Sequence, residues 1–156
     1  MSEIKPQTQF DLLYQQSREQ NNAQILVSAL PYAQQLGMVV ERVEGDWQFK
    51  LPPVKTNIGN PSLPAIHGGA IAGFMSMSAI IYLLMSYDQK CTTQPPKVPK
   101  VVDFSVDYVR ACRYVDTFAT CEVVRQGRKM ANVGVRVWQQ NSSNVTATAR
   151  AHYLLS

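Results

Sequence analysis

Apolar and polar side chains alternate with period two through the second half of the chain, whereas the first half holds one long apolar run without alternation. Val102, Phe104, Val106 and Tyr108 fall opposite Asp103, Ser105 and Asp107. Ala131, Val133, Val135 and Val137 alternate with Asn132 and Arg136, and Val145, Ala147, Ala149, Ala151 and Tyr153 with Thr146, Thr148, Arg150 and His152. This period is that of strands with one face on a core and one face wet. Turn residues at Ala111–Asp116, Gln126–Arg128 and Asn141–Asn144 break the series, and connections that short make the strands antiparallel. Two shorter strands are predicted at Met38–Val43 and Trp47–Leu51, joined by Glu44-Gly45-Asp46 in a tight hairpin.

From Thr56 to Tyr87 there is no Asp, Glu, Lys or Arg, and the chain is mostly apolar from Ala70 to Met85. The spacing predicts one long helix from near Gly68 to about Ser86. Its apolar part sits at or below the ~20 residues a bilayer requires, and Gly73, Ser76 and Ser78 interrupt it. A helix apolar nearly all round also suits the centre of a fold, and the alanines of the last strand leave room for it. Pro52, Pro53, Gly59, Pro61 and Pro64 predict an irregular loop before the helix. The first 36 residues read as helical, with Ser28 capping a segment that has Pro31 in its first turn and stops at Gly37. The expected architecture is α+β: a helical extension over residues 1–36, then a single domain over 37–156 in which a curved antiparallel sheet wraps one central helix.

Composition narrows the function classes. The chain has 156 residues, 46% hydrophobic and 17% charged, which is enough for one buried core and excludes wholesale disorder. A net charge of +4 favours a phosphorylated small ligand; without a basic–aromatic motif it does not indicate nucleic acid. Cys91, Cys112 and Cys121 are odd in number and form no CxxC pair, so reduced thiols and a cytoplasmic location are expected. The start, MSEIKPQTQF, lacks a secretory pattern. His67 and His152 lie too far apart in sequence to predict a metal site, and neither a GxSxG elbow nor a P-loop occurs.

The most informative local feature is His67-Gly68-Gly69 at the start of the apolar helix. A helix N-terminus presents unpaired N–H groups and the positive end of the dipole. Glycine there lets a carbonyl approach the backbone, so the Gly68 amide is a candidate oxyanion donor, with His67 positioning the loop or adding a hydrogen bond. Basic residues at strand ends, Arg110 and the Arg128-Lys129 turn, are candidates for pairing with phosphates.

The runs IGNPSLPAIHGGAIAGF, VDFSVDYVRA, VVRQGRKMANVGVRVWQ and VTATARAHYLL make residues 36–155 resemble the hotdog-fold acyl-CoA thioesterases of the phenylacetate-type (PaaI-like) group. The resemblance implies thioester hydrolysis by homodimers or homotetramers. It implies no metal or other cofactor; coenzyme A enters as part of the substrate, its phosphates suiting Arg110, Arg128 and Lys129. Gly68 matches the oxyanion amide of that group, His67 the motif histidine, and Asn60 the upstream asparagine that orients substrate or water, at a spacing one residue longer. The catalytic carboxylate of the group stands nine positions after the histidine, where this chain has Ser76. No Asp or Glu occurs between Asp46 and Asp88, so a small shift does not supply one. Asp103 and Asp107, on the polar side of the next strand, are the other carboxylates weighed. Eight positions along a helix from Gly68 is a rise of ~12 Å, so a site that used both Gly68 and Ser76 would span two subunits. The alternatives are a hotdog protein that binds acyl-CoA with little or no turnover, or one paired with a paralogue that supplies the acid.

Overall fold

The computed structural model describes residues 7–87 and 97–155. Cys91 lies outside them. Three helices come first: α1 (Gln9–Glu19), α2 (Gln24–Ala29) and α3 (Pro31–Leu36). Thr8 and Asp11 close a reciprocal capping box on α1, with the Asp11 N–H donating to Thr8 Oγ1 at 3.2 Å and the Thr8 N–H to the Asp11 carboxylate at 2.8 Å. Ser28 does not cap the segment that carries Pro31; it lies within α2, and the N-cap of α3 is Leu30. The reason is local. A residue before proline is pushed out of the α region, and Leu30 sits at φ −116°, ψ 101°, leaving Pro31 as the first helical residue. Gly37 ends α3 with φ 71°, a left-handed conformation that favours glycine.

Strands β1 (Val39–Val43) and β2 (Asp46–Leu51) form the expected hairpin. The proline-rich segment is more ordered than expected: a short 3-10 turn over Lys55–Asn57 leads into a small hairpin of β3 (Ile58–Asn60) and β4 (Leu63–Ile66). Then come α4 (Gly68–Ser86), β5 (Lys100–Tyr108), β6 (Thr117–Gln126), β7 (Met130–Trp138) and β8 (Ala147–Leu154). The main sheet has the order β1-β2-β6-β7-β8-β5, antiparallel throughout.

The alternating residues pack as their period demands. Val133, Val135 and Val137 of β7, Ala147, Ala149, Ala151 and Tyr153 of β8, and Phe49 and Leu51 of β2 are buried with Ile71, Phe74, Met75, Ile81, Leu83 and Leu84 of α4. Each large side chain removed from water contributes roughly 1.5–3 kcal/mol, which makes α4 the main anchor of the fold. By length and composition α4 could also cross a membrane; here it is the sheet's central helix, the hotdog arrangement. Its C-terminal end is held by Arg18 of α1, whose guanidinium donates to the Met85 carbonyl.

β5 departs from simple alternation. Val101 pairs with Tyr153 and Asp103 with His152, so Val102 is an extra bulged residue, 60% exposed. Phe104 and Val106 are half-buried and Tyr108 is exposed, because β5 is an edge strand.

Candidate active site

The chain entering α4 is fixed from both sides by backbone hydrogen bonds. The Ile66 N–H donates to the Cys112 carbonyl and the Tyr114 N–H to the Pro64 carbonyl, both at 2.9 Å, which ties β4 to the β5–β6 connection. The His67 N–H donates to the Asn57 carbonyl at 2.7 Å. β3 crosses so close to His67 that a Cβ on Gly59 would come within 3.0 Å of the His67 Cα.

A helix leaves its first four N–H groups without intrahelical partners from its own turns, so each must be traced. Counted from the N-cap, the His67 N–H goes to the Asn57 carbonyl, the Gly69 N–H donates to His67 Nδ1 at 2.9 Å, and the Ala70 N–H reaches the His67 carbonyl at 2.9 Å. Among the described residues no acceptor meets the remaining one, the Gly68 N–H, and Gly68 is exposed. His67 is therefore the N-cap of α4, with Nδ1 acting as an acceptor, so its ring proton sits on Nε2. A side chain at position 69 would displace the capping ring, since a Cβ there would lie 2.9 Å from His67 Nδ1. From the other side, Tyr108 covers the first turn. Its hydroxyl donates to the Gly68 carbonyl at 2.7 Å, and its ring would be 3.5 Å from a Cβ on Gly68.

A cavity of about 410 Å³ opens beside this turn, with His67, Gly69, Asn57, Thr56, Tyr32 and Gln35 in its wall. Among the described residues no carboxylate, lysine or arginine lines it. The asparagine that faces it is Asn57, whose buried Nδ2 finds no acceptor among the described residues. Asn60 sits on the β3–β4 hairpin instead, where its side chain accepts the Ser62 N–H at 2.9 Å in an Asx turn. The sequence assigns no role at the site to Asn57, Tyr32 or Tyr108, although Tyr108 lies in the VDFSVDYVRA run that carries the resemblance. The Asn-to-His spacing points to Asn60 and away from Asn57, and the two tyrosines act through contacts remote in sequence.

Ser76 is half-buried on α4, and its carbonyl accepts the Tyr153 hydroxyl at 3.2 Å. It belongs to a partly exposed stripe with Ala72, Gly73 and Met77. Ser78 is buried and its hydroxyl returns to the Phe74 carbonyl at 2.8 Å, a core hydroxyl bonded to its own helix. Asp103 lies across from His152 at 3.6 Å and is 64% exposed, so it belongs to the strand surface. Arg110, Arg128 and Lys129 are all exposed but stand apart. Arg110 follows β5, its N–H on the Thr146 carbonyl at 3.1 Å, while Arg128 and Lys129 turn between β6 and β7 at the end where Met130 and Lys100 both pair with Leu154. The length of β5, about 30 Å at ~3.3 Å per residue, separates them within one chain.

Burial sets the protonation of the groups beneath the site. It pushes the Tyr153 phenol far above its ordinary value, against the opposing effect of its bond to Ser76, so Tyr153 stays a neutral donor. Burial, with Asp46 adding to it, raises Tyr82 to about 12. The thiols of Cys112 and Cys121 are likewise raised by burial, which makes them inert rather than nucleophilic.

Residues 63–146 match the family model described as the thioesterase superfamily. The Escherichia coli (strain K12) protein named medium/long-chain acyl-CoA thioesterase YigI is 28% identical over 142 residues, covering 85% of this chain and 90% of that protein. A crystal structure of a Chromobacterium violaceum protein is 35% identical with a TM-score of 0.71, over 92% of this chain and 96% of that one. Thioesterase superfamily member 2 from Mus musculus shares the fold at 15% identity, with a TM-score of 0.68 over 87% of this chain and 96% of that one.

Proposed function

Because this chain belongs to the thioesterase superfamily, we propose that it hydrolyses acyl-CoA thioesters in the manner of the phenylacetate-type group, at a site that two copies complete. The observation that carries the reading is the N–H of the exposed Gly68, the one donor of the first turn that meets no acceptor among the described residues. A thioester carbonyl placed there polarises toward the helix N-terminus, and the amide stabilises the oxygen as negative charge builds on it. Water adds to the carbonyl carbon and the C–S bond breaks. The thiolate of coenzyme A departs without needing an acid, and the proton lost by the water passes to solvent. No metal or redox group takes part. Asn57, with its unpaired Nδ2, orients the carbonyl or the water.

Ser76 enters from the second copy, since the ~12 Å rise along one helix separates it from its own Gly68. There it holds the water. The exposed edge of β5, with Val101 and Val102 in the strand and Val109 just beyond it, suits that assembly. Antiparallel pairing of β5 with its copy about a two-fold axis brings the Arg110 end of one chain beside the Arg128–Lys129 end of the other. The three cations then form one phosphate site for the coenzyme. The free, buried thiols of Cys112 and Cys121 suit a cytoplasmic setting.

One observation favours a second reading. Among the described residues the cavity wall holds no carboxylate, and the acid position is Ser76, which suits an acyl-CoA-binding protein with weak turnover or a partner of a paralogue that supplies the acid. Hydrolysis of short, long and aromatic acyl-CoAs, measured beside the binding of non-hydrolysable thioether analogues, separates the two. Turnover is the expected result, and Ser76→Asp is expected to raise it ten-fold or more, because a general base contributes ~10²–10⁴-fold. Binding without turnover selects the second reading; neither binding nor turnover overturns both.

A further inference from the structure

α3 lies outside the stretch that matches the family model, yet it builds part of the cavity beside the HGG turn. The end of the Tyr32 side chain rests directly on α4 at Gly73. A Cβ added to Gly73 would overlap the Tyr32 hydroxyl and come within 2.6 Å of its Cε1. The two residues are complementary: any side chain at position 73 would push the tip of Tyr32 off the helix. Tyr32 thus lines the cavity while its tip meets α4 at Gly73, one turn beyond Gly69. Among the described residues no lysine or arginine stands in its wall, so the cavity suits an apolar group better than the coenzyme phosphates. If the thioester carbonyl sits at the Gly68 amide, the part of the substrate that enters this cavity is the acyl group.

We propose that Tyr32 is the end wall of the acyl subsite and restricts it to compact acyl groups, a reading that rests on the proposed thioesterase site. Tyr32 is 42% exposed, so it can be truncated without removing a core residue. Its hydroxyl matters only as the tip of the wall.

The test uses the full chain with wild-type, Tyr32→Phe, Tyr32→Ala and Gly73→Ala sequences, against straight-chain acyl-CoAs from acetyl to palmitoyl. kcat/KM is read for each, and affinity for the matching thioether analogues is read by calorimetry. Tyr32→Ala is expected to move the optimum several carbons longer and to raise the long-to-short ratio of kcat/KM by ~10-fold or more, since one methylene in a pocket already discriminates ~10–200-fold. Tyr32→Phe keeps the wild-type profile. Gly73→Ala shifts it to shorter chains, because the new methyl drives the ring into the cavity. Turnover with an unmoved profile in Tyr32→Ala overturns the wall and leaves the thioesterase reading standing, as does a profile that Tyr32→Phe moves as far. Analogue binding whose length preference shifts in Tyr32→Ala, without turnover, supports the wall and overturns the hydrolysis. Absence of both turnover and binding overturns the two together.

Discussion

The two ends of α4 are built for opposite duties. From Gly68 to Gly73 the helix is thin, with three glycines and two alanines around Ile71, and His67, Gly68 and Gly69 are exposed. From Phe74 to Leu84 it is thick, and Phe74, Met75, Ile81, Leu83 and Leu84 are all buried against the sheet. The thin end contributes little packing, so its backbone is reachable: an amide can meet a ligand at Gly68, and the tip of a tyrosine can rest on Gly73. The thick end holds the helix still enough for that amide to be aimed. A site made from main chain needs both, because a backbone donor cannot move to its substrate as a long side chain can.

The two ends are therefore expected to respond differently to damage. Leu83→Ala at the thick end is expected to lower stability by about 2–5 kcal/mol in denaturant titrations while leaving hydrolysis per folded molecule within a few-fold. At the thin end Tyr108→Phe removes the hydroxyl bonded to the Gly68 carbonyl, a contact 2.7 Å long on an exposed surface. The expected cost is about 1 kcal/mol, seen as a several-fold fall in kcat with KM little changed. The smallest effect is on pH dependence. Tyr82, at the thick end, has its phenol raised to about 12 by burial and by Asp46, from an ordinary 10.0. Its contribution to stability is full below pH 10 and is lost as pH rises toward about 12, since the unfolded chain ionises there first. Tyr82→Phe is expected to flatten part of that alkaline limb in melts taken from pH 9 to 12.

How far the sequence reveals this layout depends on what kind of contact carries each part. The bounds of α4 and the period-two strands are local patterns, and Gly68 to Ser86 appears where the apolar run predicts it. The β3–β4 hairpin is hidden because Pro61 and Pro64 read as loop, yet Pro64 needs no N–H there and gives its carbonyl to Tyr114. Counting along the chain from His67 points to Asn60. The hairpin carries Asn60 out to its turn and leaves Asn57, ten positions before His67, on the cavity, a reversal that residue spacing cannot express. The bulge at Val102 and the edge position of β5 depend on strand order, which alternation does not encode. Tyr32 against Gly73 joins residues 41 positions apart, and no local signal announces it.

The account rests on the Gly68 N–H, and the position itself offers a clean way to remove it. Gly68 is the first residue of α4, where proline is well tolerated, and His67 at φ −58°, ψ 133° already has the extended conformation that a following proline requires. Gly68→Pro therefore deletes the donor and keeps the helix start. Gly68→Ala keeps the donor and adds a methyl at ordinary contact, 3.5 Å from the Tyr108 ring. With both variants confirmed as folded, the account predicts that Gly68→Pro loses ~10²–10³-fold in kcat for acyl-CoA hydrolysis while Gly68→Ala stays within a few-fold of the parent. A folded proline variant that turns over as fast as the parent would contradict it.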